Sequence, residues 1–430
     1  MDQLTRFLVY NKTPTSESKM SYPKEKREDV KNKDSDMDKH HLLLSPVMTK
    51  SSEERVLYAR NRQPGSRPAV VGGKPITEEA AIELRVTAFG TAACPPRGEW
   101  IHTPLIMRPC DQLGYGLAAP RNGTRSLLSA LQAHIIKWLL FDSRPMTKDN
   151  KSIVPPDSYL RPTEERQEEA LWRACSEVIW RCGSSNQPEA RAVVALPATQ
   201  IYVLHSSQYY QDGITEMLHI FDFKSLEDLQ IFVKRYLYLF QSEEGSGALL
   251  LLYACILSRG CENIIKDLDG KLTYLLSTAA EGSLNVTTLL LTGRATPYLH
   301  NGVQYVGDED HYAMPQFGIL GRSAVGLLVW YGNEDSHTPN FSNQYPGSRL
   351  KTPALPIWVT SCSGHYGVLF NTNRELLRNY HAERRFDIHY YTCGGCHVLL
   401  NVDTRAQEDQ GPLRNDDISA TPLEKLILTK

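Results

Sequence analysis

Leu127, Leu128, Leu131, Ile135, Trp138 and Leu139 recur at the three-to-four spacing of one helical face. That spacing predicts a helix over about Arg125 to Phe141 with a wide apolar stripe, which folds only if other elements cover it. Asn122, Gly123 and Thr124 stand at its N-terminal end, after a Gly/Pro-rich stretch that runs through Arg121. Ahead of that stretch, Leu84-Arg85-Val86-Thr87-Ala88-Phe89 reads as a strand.

Partners for such a helix are present downstream. A second helix is expected over Glu164 to Cys182, with Leu171, Cys175, Val178 and Cys182 as its stripe, and a third over Leu226 to Gln241, capped by Ser225 with Asp228 in the first turn. A fourth, very apolar one covers Ala248 to Arg259. Around Pro353 the periodicity changes. Ile357-Trp358-Val359-Thr360 and Tyr366-Gly367-Val368-Leu369-Phe370 flank Ser361 to His365 as strand, turn and strand, and Phe386 to Tyr391 and Val398 to Val402 flank Cys393 to Cys396 in the same way. Helices followed by paired strands imply an α+β fold. A length of 430 residues allows two or three domains at about 150 residues each, or one large domain with a tail.

Residues 1–70 read differently. Lys24 to Lys39 holds twelve charged residues in sixteen, six of each sign, without apolar periodicity, as in a disordered charged arm. Such a segment serves either as an interaction tail or merely as a solvated terminus. The remainder, from Leu84 to residue 430, reads as the folded part.

Composition excludes several partners. Lys plus Arg number 47 against 49 Asp plus Glu, a formal charge of −2, so there is no basic excess of the kind nucleic acid requires. The longest apolar run, Ala248 to Leu257, is half of what a bilayer span needs, so no membrane segment is expected. The first sixteen residues lack the apolar core of a secretory signal, and the expected location is intracellular, cytoplasmic or nuclear. Nine scattered cysteines, an odd number, are then read as reduced thiols rather than a disulfide framework.

Cys393-Gly394-Gly395-Cys396-His397 has the spacing of a haem attachment site or of half a zinc site. A structural zinc needs four ligands, and no second pair follows at suitable spacing; the double glycine between strands is better explained as a tight hairpin. No metal or cofactor is expected. Neither G-x-x-x-x-G-K-[ST] nor a strand-linked G-x-G-x-x-G occurs, which removes the usual nucleotide-binding fingerprints. His365, at the start of a strand after Ser-Gly, is where an imidazole can project into a cleft, although a lone histidine at a strand edge is more often structural or incidental than catalytic. A helix opening after a glycine turn is where cysteine proteases place their thiol, because the dipole and an imidazolium stabilise the thiolate.

Tyr115-Gly116-Leu117, Asn122-Gly123-Thr124-Arg125-Ser126 and Leu128-Ser129-Ala130-Leu131-Gln132-Ala133 together resemble the active-site helix opening of the MINDY family of deubiquitinating enzymes. That family reads Tyr-Gly-hydrophobic, a Gln, Gly-Gly-Pro-Cys-Gly and Leu-Ala-Ala-Val-Gln. Leu291-Thr292-Gly293-Arg294-Ala295, Gly318 to Gly321, Pro356-Ile357-Trp358-Val359, Ser363 to Phe370 and Leu400 to Thr404 agree in order, so the resemblance spans some four-fifths of the chain, in the longer branch of the family. It implies a papain-like cysteine-protease fold, ubiquitin carboxyl-terminal hydrolase ancestry and lysine-48-linked polyubiquitin as the ligand. In the family, the Cys is the nucleophile, the His its base and the Gln part of the oxyanion hole.

This sequence departs at two of those three positions. Counting from Tyr115, the cysteine position is Arg125 and the glutamine position Ala119, while His365 keeps the histidine place. A guanidinium is always protonated and has no lone pair for attack on a carbonyl. Ala119 offers no side-chain donor, and one lost oxyanion donor costs about 3 kcal/mol in the transition state. Ser126, about 100° further round the helix, would face away from an imidazole placed to meet position 125; Cys110 and Cys362 lie near in sequence but not at the helix opening. The expectation is an inactive deubiquitinase that binds ubiquitin without cleaving it. Residual cleavage through another nucleophile and a ubiquitin-independent scaffold are the alternatives. Arg125 could also receive the free C-terminal carboxylate of ubiquitin.

Overall fold

The computed structural model describes residues 7–10, 69–119, 121–143, 155–185, 188–243, 245–276, 281–307, 313–331, 345–403 and 421–430. Helices and sheets are mixed, and the C-terminal part supplies the main sheet, as the change of periodicity predicts. Six strands lie in the spatial order Phe7–Tyr10, His397–Asp403, Arg385–Tyr391, His365–Phe370, Ile357–Cys362 and Gly326–Trp330. All neighbours are antiparallel except the last pair.

The alternation of side chains along these strands divides the core in two. Ile357, Val359, Tyr366, Val368 and Phe370 belong to the large core, whereas Trp358 and Leu369 point to the opposite face and pack with Leu328, Ile388, Leu400, Val402, Leu426 and Ile427. That second face is closed by the helix Pro422–Leu428, which a reciprocal capping box fixes: Thr421 Oγ1 accepts from Glu424 N, and Glu424 Oε2 accepts from Thr421 N.

On the large-core face lies the helix Arg125–Lys137, with residues 126 to 136 all buried. It continues as a wider π turn over Trp138–Asp142, so the predicted reach to Phe141 holds although the winding changes. Glu164–Ser184, Gly247–Arg259 and Leu284–Thr292 pack around it. Ala192–Pro197 is apolar on both faces because Gly247–Arg259 and Glu164–Ser184 cover it, and it pairs with Leu218–Phe223 in a separate three-stranded sheet. Among the described residues no single helix is long and apolar enough to cross a membrane; Gly247–Arg259 and the following Cys261–Leu268 would be long enough together but meet at an 85° bend.

Two expectations need correction. Leu84 to Phe89 is not a strand but the end of a helix, Glu78–Phe89. Thr77 caps it by accepting from Ala80 N, Glu78 and Glu79 face the positive end of the dipole, and Gly90 at φ +82° closes it. The apparent alternation misleads because Arg85 is fully buried, paired with Asp212 at 2.7 Å, while apolar Val86 is exposed. The helix expected over Leu226 to Gln241 is two, Leu226–Arg235 and Leu237–Gln241, parted where Tyr236 leaves helical geometry; its Ser225 cap on Asp228 N is present. Of the arm expected over residues 1–70, Phe7–Tyr10 forms the edge strand and residues 69 and 70 are described; the rest lies outside the described residues.

Candidate active site

Two turns bring the sequence-predicted residues together. Ser363 and Gly364 both adopt positive φ, +49° and +82°, which makes a two-residue hairpin matching the strand twist and sets Cys362 directly opposite His365. The His365 side chain is 75% exposed at the mouth of that hairpin. In the other hairpin, Gly395 at φ +98° carries the turn of Cys393 to Cys396, as expected from the double glycine. Among the described residues no group of three or more His, Cys, Asp or Glu side chains is placed to hold a metal.

The second hairpin fastens the loop that precedes the helix. Ala119 N donates to Cys393 O at 2.9 Å, and Arg108 donates to both Cys393 O and the Tyr391 hydroxyl. Tyr391 in turn donates to Leu117 O. From the helix side, Gln132 accepts from Leu117 N and donates to Tyr115 O, both while buried. These bonds explain why Tyr115-Gly116-Leu117 and the Leu-Ser-Ala-Leu-Gln run belong together: Gln132 takes the place of a strand partner for Tyr115 and Leu117. Ala119 itself is buried and offers only a methyl group.

Arg125 is the first residue of the helix, and its N-cap, Thr124, makes no side-chain capping bond. A cation at this end adds to the roughly half positive charge of the dipole, an arrangement that needs a counter-charge. Glu281 supplies it. Its carboxylate accepts from Arg125 Nη1 at 2.8 Å, from His365 Nδ1 at 3.0 Å and from Tyr366 N at 2.9 Å, while its backbone carbonyl accepts from Ser126 N. Glu281 is 4% exposed and the Arg125 side chain 22%. Because a carboxylate only accepts, His365 Nδ1 carries the proton of that bond, which leaves Nε2 for whatever the cleft holds. A Cβ on Gly394 would stand 3.0 Å from Arg125 Nη2, so glycine there gives the guanidinium its room.

Glu281 is the residue that sequence reasoning missed. It lies 156 positions after Arg125 and 84 before His365, just ahead of the Ser283 cap of Leu284–Thr292, and no spacing links it to either. The other nucleophile candidates differ in burial and partners. Ser126 is fully buried, with its Oγ accepting from Ser283 N at 3.2 Å. Burial pushes the Cys393 thiol up to about 12, against the opposing pull of Ser129, Arg125 and Arg108. Burial also raises Cys362, and Cys110 is half-buried.

The profile of the deubiquitinating enzyme MINDY-3/4 conserved domain matches residues 85–430. The chain belongs to this family. Among curated MINDY relatives, the probable ubiquitin carboxyl-terminal hydrolase MINDY-4 of Xenopus tropicalis is 30% identical over 399 residues, which are 91% of this chain and 50% of the relative. Human MINDY-4, also described as a probable hydrolase, is 29% identical over 83% of this chain and 45% of its own length. The human ubiquitin carboxyl-terminal hydrolase MINDY-3 is 26% identical over 70% of this chain and 67% of its own. This MINDY chain thus spans about half the length of the MINDY-4 relatives it matches. No solved structure matches it.

Proposed function

We propose that this member of the MINDY-3/4 family has a papain-like core that has lost hydrolysis and works inside the cell by binding ubiquitin or lysine-48-linked polyubiquitin without cleaving it. The observation that carries the reading is the 2.8 Å ion pair between Arg125 and Glu281 at the family's cysteine position. Attack on an isopeptide carbonyl needs a lone pair on a thiolate or alkoxide. A guanidinium already bound to a carboxylate offers none. Ala119 removes a donor from the place of the oxyanion glutamine, so nucleophile and transition-state stabiliser are missing together. His365 remains as the family histidine, now paired to Glu281 instead of serving a thiol. Residues 1–70 are read as a charged arm that leaves the folded part, 84–430, to carry the ubiquitin-binding surface. Arg125 is less open to the C-terminal carboxylate of ubiquitin than its sequence position implies, because that carboxylate would have to displace or share Glu281.

The test is a titration of the full chain against mono-ubiquitin and lysine-48-linked tetra-ubiquitin, with binding and chain cleavage read on the same samples. Binding with intact chains is the expected result. Cleavage would overturn the loss of hydrolysis and send the search to Ser126 and the cysteines; absence of binding would leave a scaffold that does not touch ubiquitin.

A further inference from the structure

A second concave site lies away from the Arg125 cluster, where the ends of Glu164–Ser184 and Leu284–Thr292 meet the loop Gly318 to Ala324. It encloses about 490 Å³, within the size range of small-molecule sites, and its wall contains Arg181, Arg294 and Arg322 with no Asp or Glu among the described residues. The three guanidiniums are not equivalent. Arg181 is fully engaged: Nη2 donates to Glu177 at 2.6 Å, and Nη1 donates to Leu290 O and lies 2.9 Å from His134 Nε2. Arg294 Nε donates to Asp267 Oδ1 at 2.9 Å, and the same carboxylate also accepts from Arg259 Nε and Nη2. Arg294 Nη1 is buried with no acceptor. Arg322 is exposed and has no ion-pair or hydrogen-bond partner among the described residues.

Three of the hydroxyls in the wall are already engaged as donors: Ser185 and Ser323 donate to the carbonyls of Thr292 and Leu291 at the end of Leu284–Thr292, and Thr292 donates back to Thr288 O. The backbone N–H groups of Gly321 and Arg322 take no acceptor among the described residues. Two helix C-termini supply partial negative charge, which one cation suffices to balance. Arg322, with no partner among the described residues, stands beyond that balance.

We propose that this cavity binds a small phosphate-bearing molecule, with the phosphate held by the guanidiniums of Arg322 and Arg294 and by the Gly321 and Arg322 backbone N–H groups. A phosphate fits better than a carboxylate because it presents three or more acceptor oxygens to two forked cations and a pair of N–H donors. The volume exceeds what a bare ion fills, leaving room for the body of the molecule beside Leu320 and Ala324.

The experiment is calorimetric titration of the full chain with inorganic phosphate and with pyrophosphate at fixed ionic strength, with sulfate as the control anion. Saturable binding of pyrophosphate is expected, tighter than that of sulfate. Arg322→Gln should weaken it at least about tenfold, the effect of a lost charged hydrogen bond, while Arg385→Gln, an exposed arginine outside the cavity, should leave it unchanged. Arg294→Lys keeps the charge but loses the fork, and should weaken pyrophosphate more than sulfate. A Kd above about 1 mM for both phosphates overturns the proposal. So does equal binding by Arg322→Gln, and so does sulfate matching pyrophosphate, which would mean an adventitious ion only.

Discussion

Removing Glu281 tests whether the opening of the helix at Arg125 is held by a buried ion pair. Glu281→Ala takes away three accepted hydrogen bonds at once, from Arg125 Nη1, His365 Nδ1 and Tyr366 N. Breaking a buried pair from one side costs about 3–5 kcal/mol; since the Arg125 side chain keeps 22% of its surface, the lower end, about 3 kcal/mol, applies. The stranded Tyr366 N–H adds roughly 1 kcal/mol. The His365 bond adds almost nothing, because that side chain is 75% exposed. The loss for Glu281→Ala is therefore about 4 kcal/mol, and about half that for Glu281→Gln, whose amide oxygen still accepts one of the three donors. Arg125→Ala costs less, about 2 kcal/mol, because Glu281 retains Tyr366 N and the helix N-terminus is relieved of a cation. Once Glu281 is gone, removing Arg125 does little further harm. The double variant should then match Glu281→Ala, a coupling on the order of 2 kcal/mol. Urea unfolding followed by tryptophan fluorescence, with matched slopes among the four proteins, measures it. Costs that add to within about 0.5 kcal/mol would refute the ion pair as the reason this site holds together.

Three further outcomes follow from the same geometry. Ala119→Gln combined with Thr124→Pro, Arg125→Cys and Ser126→Gly should restore slow labelling by a ubiquitin C-terminal electrophile, and His365→Ala in that background should abolish it; labelling that ignores His365 would mean the histidine no longer faces the helix opening. His134 is held down to about 4, first by burial and then by Arg181 alongside, so it is neutral when folded. Between its ordinary 6.5 and about 4 the unfolded chain binds a proton that the folded one does not. Its contribution, on the order of 3 kcal/mol, is complete above that window and lost as the pH falls through it, and His134→Gln should flatten the acid limb of a stability–pH curve relative to the parent. Among the thiols, exposed Cys94 and Cys396 should react rapidly with a disulfide reagent at pH 8, whereas Cys175 and Cys393, both pushed up to about 12 by burial, should wait for unfolding; early loss of the Cys393 thiol by mass spectrometry would contradict its placement under the hairpin.

What the sequence made legible depended on whether the deciding interaction was local. The helix from Arg125 and the two hairpins were readable because a stripe of leucines, a Ser-Gly turn and a Gly-Gly turn each fix their own geometry. Glu78–Phe89 was not, because Arg85 is inside only by virtue of Asp212, 127 residues later, and a polar residue buried by a distant partner looks like the polar half of a strand. The candidate site divides along the same line. Arg125 and Ala119 sit within a recognisable local pattern, so the proposed departure from a nucleophile and an oxyanion donor can be read from one stretch of chain. Read that way, the change is a loss. In space it requires an addition, since an arginine at a helix N-terminus, four-fifths buried, cannot persist without an anion, and the one it has comes from a loop that no local pattern connects to it. Glu281 also holds His365 through Nδ1, the bond by which a carboxylate orients a catalytic imidazole. The same carboxylate therefore serves both Arg125 and His365, giving the cation its counter-charge and the imidazole its partner.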